Sequence, residues 1–125
     1  MNDKLDRLKD IKIENYIWVI YIVIIFFSWI ANSKEKDFII NNNSKSKQDY
    51  QSIMILIFSI LIIVYLYFTL DSYEDVKKLN IYDSPKKVIL TNASLTGSTL
   101  ILISGIIFLL IAIFDDNIDT ELAFN

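Results

Sequence analysis

Three long runs without a charged residue divide the chain: residues 15–32, 52–70 and 88–114. A helix needs roughly 20 apolar residues to cross about 30 Å of hydrocarbon, and each run is near or above that length. Hydrophobic positions in these runs are nearly continuous, without the alternation of a half-buried strand. The pattern therefore predicts an all-α integral membrane protein with three transmembrane helices.

The segments between the runs complete a single membrane domain of residues 1–125. Residues 1–14 predict an amphipathic helix that either lies along the lipid headgroups or runs directly into the first span. Residues 33–51, with a polar Asn-Asn-Asn-Ser tract, predict a flexible outer loop. Residues 71–87 predict a helical extension and a turn, and residues 115–125 predict an acidic, solvated tail.

The second and third spans have the features of a long antiparallel hairpin. Tyr73, Val76, Leu79 and Tyr82 recur at spacing three, so the second helix is expected to continue past the apolar run. Pro85, the sole proline, follows two N-capping residues and predicts the start of the third helix. The closed end of this hairpin is expected in the cytoplasm.

The third run carries small residues at heptad spacing, which predicts a smooth face for helix packing. Lipid tails are as apolar as leucine, so close backbone approach is a usual means of association in a membrane. We expect this face, the helix-packing seam, to meet the other spans or a second copy of the chain. Its residues are Thr91, Ser94, Gly97, Ser98, Gly105 and Ala112.

Aromatic residues cluster near the ends of the first two runs. Amphipathic rings favour the two membrane–water interfaces, so these residues are candidate interface anchors. They are Tyr16, Trp18, Trp29, Tyr65, Tyr67 and Tyr73.

Basic residues predict the orientation in a cell membrane. Residues 1–14 and 71–87 together hold eight Lys and Arg, whereas residues 33–51 and 115–125 hold four. The positive-inside rule then places the N-terminus in the cytoplasm and the C-terminus outside.

Composition argues against most chemistry. The chain has no cysteine and no histidine, so it offers neither a thiol nor an imidazole for catalysis or metal binding. Proton pumps and transporters usually keep an ionisable group such as a carboxylate or a lysine inside the membrane, and every Asp, Glu, Lys and Arg lies outside the three runs. The net charge of −3 disfavours nucleic acid as a partner. We expect no enzyme activity and no cofactor.

The whole layout resembles the small, uncharacterised three-span membrane proteins of low-GC Gram-positive bacteria. The resemblance rests on Lys4-Leu5-Asp6-Arg7-Leu8-Lys9, on Leu102-Ile103-Ser104-Gly105-Ile106-Ile107-Phe108 and on Glu121-Leu122-Ala123-Phe124-Asn125. It implies a membrane location and carries no functional residue over to this chain.

Three functions fit these features. The leading hypothesis is a non-catalytic accessory subunit or regulator, which contacts another membrane protein or a second copy through helix packing and the hairpin tip. A self-assembling pore of the phage holin type is the second, although holins commonly end in a basic cytoplasmic tail and this tail is acidic. An immunity protein against a membrane-active bacteriocin is the third.

Overall fold

Three helices form the described part of the chain, which is residues 2–120 and 122 of a computed structural model. They are α1 (Asn2–Asn41), α2 (Ser44–Lys77) and α3 (Pro85–Phe114). Each is long and apolar enough to cross a membrane. The prediction of an all-helical chain with three such helices is confirmed.

Helix α1 is continuous from the charged N-terminal segment into the first apolar run. Of the two arrangements open from the sequence, the segment therefore runs directly into the span. Three buried residues, Ile17, Ile24 and Ala31, recur at spacing seven, which puts them on one side of the helix. Its other apolar side chains are largely exposed, with Trp29 at 71%.

The connection between α1 and α2 consists of only Asn42 and Asn43. Asn42 has a left-handed backbone conformation, with φ of 50°, and this conformation ends α1. Asn is one of the residues that adopt it at helix ends. The Asn43 side-chain oxygen accepts from the backbone N–H groups of Lys45 at 3.1 Å and Ser46 at 3.4 Å, so it caps α2. The structure thus differs from the predicted flexible loop over residues 33–51.

The carboxylate of Asp37 fixes this connection from the last turn of α1. It accepts from the side-chain amides of Asn41 at 2.7 Å and Asn43 at 2.8 Å, and from the hydroxyl of Ser46. One turn earlier, Lys34 lies 3.5 Å from Asp49 of α2. Because these groups bond to one another across the turn, the polar residues that suggested a solvated loop instead order two helix ends.

The chain forms two units, Met1–Ile53 and Met54–Asn125. The first contains α1 and the start of α2, and the second contains the rest of α2 with α3. In the second unit, Met54, Ile57, Phe58, Leu61 and Val64 are buried at spacings of three and four along α2. This spacing gives α2 one apolar inner face.

Helix α2 ends at Lys77, before the predicted end at residue 82. Asp83 accepts from the backbone N–H of Asn80 at 2.7 Å, and Asn80 accepts from that of Tyr82 at 3.1 Å. These side-chain bonds replace helical ones, which is why Asn and Asp favour turns. The third helix begins at Pro85 as expected, with Ser84 as N-cap accepting from Lys87 N–H at 3.1 Å.

The segment after α3 forms a turn around Asp115, where the sequence predicts only a solvated tail. The Asp115 carboxylate accepts from the backbone N–H groups of Thr120 at 2.7 Å and Asp119 at 3.2 Å. The first of these bonds is the main reason that the pKa of Asp115 lies below its ordinary value. A fixed, ionised carboxylate therefore stands directly after α3.

Candidate helix-packing site

Hydroxyl groups join α2 and α3 near the end of the second apolar run. The buried Ser72 hydroxyl lies 3.1 Å from that of Ser98 and 3.4 Å from that of Ser94. Thr69 donates to the carbonyl of Tyr65 at 2.9 Å within its own helix and lies 3.1 Å from the carbonyl of Ser98 on α3. Such contacts between helices stabilise membrane proteins by roughly 0.6–2 kcal/mol each.

Further along the pair, the absence of a side chain at Gly105 lets α2 approach α3. A Cβ at this position would lie 3.1 Å and 3.3 Å from ring atoms of Tyr65 and 3.5 Å from Ile62. Beyond it, the rings of Phe58 and Phe108 stack with centroids 5.6 Å apart. Gly105 is therefore a point of close contact between α2 and α3, and the two phenylalanine rings extend this contact along the helices.

These contacts run in opposite directions along the two helices. Moving down α2 from Ser72 through Tyr65 to Phe58, the partners on α3 advance from Ser98 through Gly105 to Phe108. The two helices are thus antiparallel along this stretch, in a fixed register.

The structure divides the residues of the predicted helix-packing seam between two faces of α3. Ser98, Gly105 and the buried Ala112 lie on the inner face, and Ser98 and Gly105 contact α2. The half-buried Thr91 bonds to the carbonyl of Lys87 in its own helix. Gly97 is turned away, because a Cβ there would meet no atom within 4 Å.

The predicted aromatic anchors also fall into two groups. Those of α1 and the end of α2 are exposed: Tyr16, Trp18, Trp29 and Tyr73. The Tyr73 ring lies 5.2 Å from the ammonium group of Lys77. Tyr65 and Tyr67 are half-buried, and Tyr65 packs on Gly105. The ring of Tyr65 therefore packs between α2 and α3.

Two features of the site were missed by sequence reasoning. Ser72 lies just past the apolar run, yet it faces Ser98; its spacing of three from Thr69 is the signal that could have placed both on one face. The second is the grouping of Gly97, a residue of the predicted seam, with Ala93 and Ser104, which are both exposed; these three residues are here called the outer small face. Spacings of four and seven put them on one side of α3.

Acidic groups in the described residues are not arranged as a metal centre. Among the described side chains, those of residues 4–120 and 122, no three Asp or Glu groups come together in a way that could hold an ion. Asp37, Asp83 and Asp115 each have several partners, and these partners lie at helix ends and turns.

Comparison of the chain with protein families, with curated proteins and with solved structures finds no match.

Proposed function

We propose that the protein spans a cell membrane three times and acts without catalysis, as an accessory subunit or regulator that contacts another membrane protein. The membrane part of this proposal is supported by the outward position of large apolar side chains. Phe26 is 62% exposed, Trp29 71% and Ile63 70%. Water-soluble monomers rarely expose apolar patches beyond a few hundred Å², whereas lipid requires them.

The proposed orientation places the N-terminus and the turn between α2 and α3 in the cytoplasm. Eight basic residues on that side against four on the other support it. The antiparallel helices α2 and α3 are then a hairpin whose closed end extends into the cytoplasm. A reporter fused after residue 125 that is active only outside the cytoplasm is the expected result, and a cytoplasmically active one refutes the orientation.

The single observation that supports a contact with a partner protein is the open space at Gly97. Its Cβ site meets no atom within 4 Å, and Ala93 four residues earlier is exposed, so the pair forms a small-xxx-small surface with open space at Gly97. Small residues at spacing four let a second helix approach closely. The inner face of α3 is occupied by α2, which leaves the outer small face for a partner.

Site-specific photo-cross-linking in native membranes tests this contact. A benzophenone amino acid at Ala93 is expected to cross-link a second protein, while the same group at the lipid-exposed Ile63 of α2 is not. Recovery of monomer alone from both positions refutes the partner contact. A product at twice the mass of the chain would instead identify the partner as a second copy.

Substitution of Gly97 separates partner binding from folding. Gly97→Leu adds a side chain at a position where a Cβ has no atom within 4 Å, so the fold is expected to survive while the Ala93 cross-link is lost. Gly97→Ala is the matched control and should retain most of the cross-link. If Gly97→Leu cross-links as well as the native chain, the outer small face is not the contact surface.

A further inference from the structure

The register of α2 against α3 brings charged and uncharged stretches of the two helices to the same level. The uncharged run of α2 ends at Leu70; Asp71 follows it, and the next residue, Ser72, contacts Ser94 and Ser98 of α3. The uncharged run of α3, however, begins at residue 88. The first part of that run, up to Ser98, therefore lies beside the charged end of α2.

The composition of α3 changes at the same level. Residues 88–98 include an asparagine and several hydroxyl residues: Thr91, Asn92, Ser94, Thr96 and Ser98. After Thr99 the helix is almost entirely apolar up to Phe114, with Ser104 as its one hydroxyl. The neighbouring segment of α2 carries the exposed Glu74, Asp75 and Lys77. Ionised groups on a two-helix pair keep the whole level in water or among headgroups.

A charged residue also limits the apolar part of the α2–α3 pair at the C-terminal end of α3. Asp115 directly follows α3, and its carboxylate is held by the backbone N–H groups of Asp119 and Thr120. These bonds favour the charged form, which cannot enter hydrocarbon without a large cost. The apolar band shared by the two helices thus extends on α3 from Thr99 to Phe114, a length of about 24 Å at 1.5 Å per residue.

We propose that the α2–α3 pair presents lipid with an apolar band about 24 Å tall, and that it is therefore matched to a bilayer thinner than the usual 30 Å or so. Residues 85–98 of α3 then lie outside the hydrocarbon, together with residues 71–77 of α2. This inference rests on the membrane insertion proposed above. It also places Ala93 and Gly97, the proposed partner contact, at the membrane surface.

Cysteine accessibility locates the boundary directly, because the native chain has no cysteine. Single cysteines replace four exposed residues of α3 in the full chain, reconstituted in phosphatidylcholine vesicles: Asn92, Thr96, Ile103 and Ile107. A charged maleimide is added to both sides of the membrane. Thiolate is the reactive form and is suppressed in apolar surroundings, so labelling at positions 92 and 96 is expected to be at least about tenfold faster than at 103 and 107.

The outcomes distinguish the two proposals. If the chain washes off the vesicles with alkaline carbonate, membrane insertion itself fails. If the chain is integral and the cysteine at position 96 reacts as slowly as that at 103, insertion stands and the short band is wrong. Fast labelling at all four positions would also overturn the band, since α3 would then not be in hydrocarbon.

Lipid preference tests the thickness itself. A single tryptophan replaces Ile107, with Trp18 and Trp29 changed to Phe, and brominated lipids of different chain length compete to quench it. Lipids with chains of about 14–16 carbons are expected to bind at least about twofold better than those of about 22 carbons, because mismatch carries a cost per Å. Equal binding of the short-chain and long-chain lipids, or tighter binding of the long-chain lipids, refutes the match to a thin bilayer.

Discussion

Alanine at Gly105 should weaken the α2–α3 contact, whereas alanine at Gly97 should not. At position 105 the new Cβ lies 3.1 Å from Cδ2 of Tyr65, so the ring or the helix must move by a few tenths of an ångström. Overpacking of this kind costs about 1–3 kcal/mol. Replacing glycine by alanine inside a helix returns about 0.8–1 kcal/mol, which leaves Gly105→Ala destabilising by up to about 2 kcal/mol.

Gly97→Ala is the matched control on the same helix. Its Cβ meets nothing within 4 Å, so only the helix propensity changes and the variant is expected to gain up to about 1 kcal/mol. The two alanine variants should then differ by about 1–3 kcal/mol, which is roughly 5- to 150-fold in the unfolding equilibrium constant. Equal effects at the two positions would refute the close contact at Gly105.

The assay is reversible unfolding in mixed micelles at increasing SDS fraction. Labels on cysteines introduced at Leu56 of α2 and Leu110 of α3, both exposed, report separation of the helices by energy transfer. A second test combines Gly105→Ala with Tyr65→Val, which removes the ring that the new methyl group meets. If the clash is the cause, the double variant should lose less stability than the sum of the two single changes, by at least about 0.5 kcal/mol.

Three further changes test the polar contacts. Ser84→Ala should destabilise the start of α3 by about 1 kcal/mol, because Lys87 N–H loses its side-chain acceptor; faster amide exchange at Lys87 checks this. Ser72→Ala removes the hydroxyl facing Ser98 and should cost about 0.6–2 kcal/mol in the same micelle assay, and no change would contradict the contact. The backbone N–H of Asn80, followed by Lys87, holds the pKa of Asp83 below its ordinary value. The turn is therefore stabilised by this carboxylate above about pH 4, and it loses that contribution as the pH falls. The Asn80 amide shift should titrate with a midpoint below the ordinary pKa of an aspartate.

The number of helices and the start of α3 could be predicted because both have strong local causes. Uncharged runs near 20 residues long mark helices that suit lipid, and Pro85 after Asp83-Ser84 fixes a helix start. The other helix ends could not be predicted in the same way. Hydropathy shows where a segment ceases to suit hydrocarbon, but Lys and Glu propagate a helix well in water.

The connection at Asn42 and Asn43 illustrates this limit. Its order depends on Asp37, which reaches forward to Asn43 and Ser46 once the helices have met. A polar tract alone cannot distinguish mutual hydrogen bonding from solvation. At the end of α2, by contrast, Asn80 and Asp83 are ordinary turn residues, and the apolar spacing of three outweighed that signal in the sequence prediction.

For the packing site, heptad spacing identified one face of α3 but not its partner. Ser98 and Gly105 contact α2, which follows from the register set by Ser72 and Tyr65. That register depends on tertiary contacts between residues far apart in sequence. Gly97 differs from Ser98 by one position, or about 100° around the helix, which is enough to turn it outward.

The two-residue connection between α1 and α2 should make that end of the helix pair resistant to limited proteolysis. Proteases cut extended, flexible segments, and loop tips are their usual targets. Here Lys34, Lys36, Lys45 and Lys47 all lie within helical turns. Trypsin added to intact vesicles would therefore leave the α1–α2 connection uncut even if the connection faces the enzyme. The side of the membrane on which the connection lies should instead be determined by labelling these lysine amines with an impermeant acylating reagent.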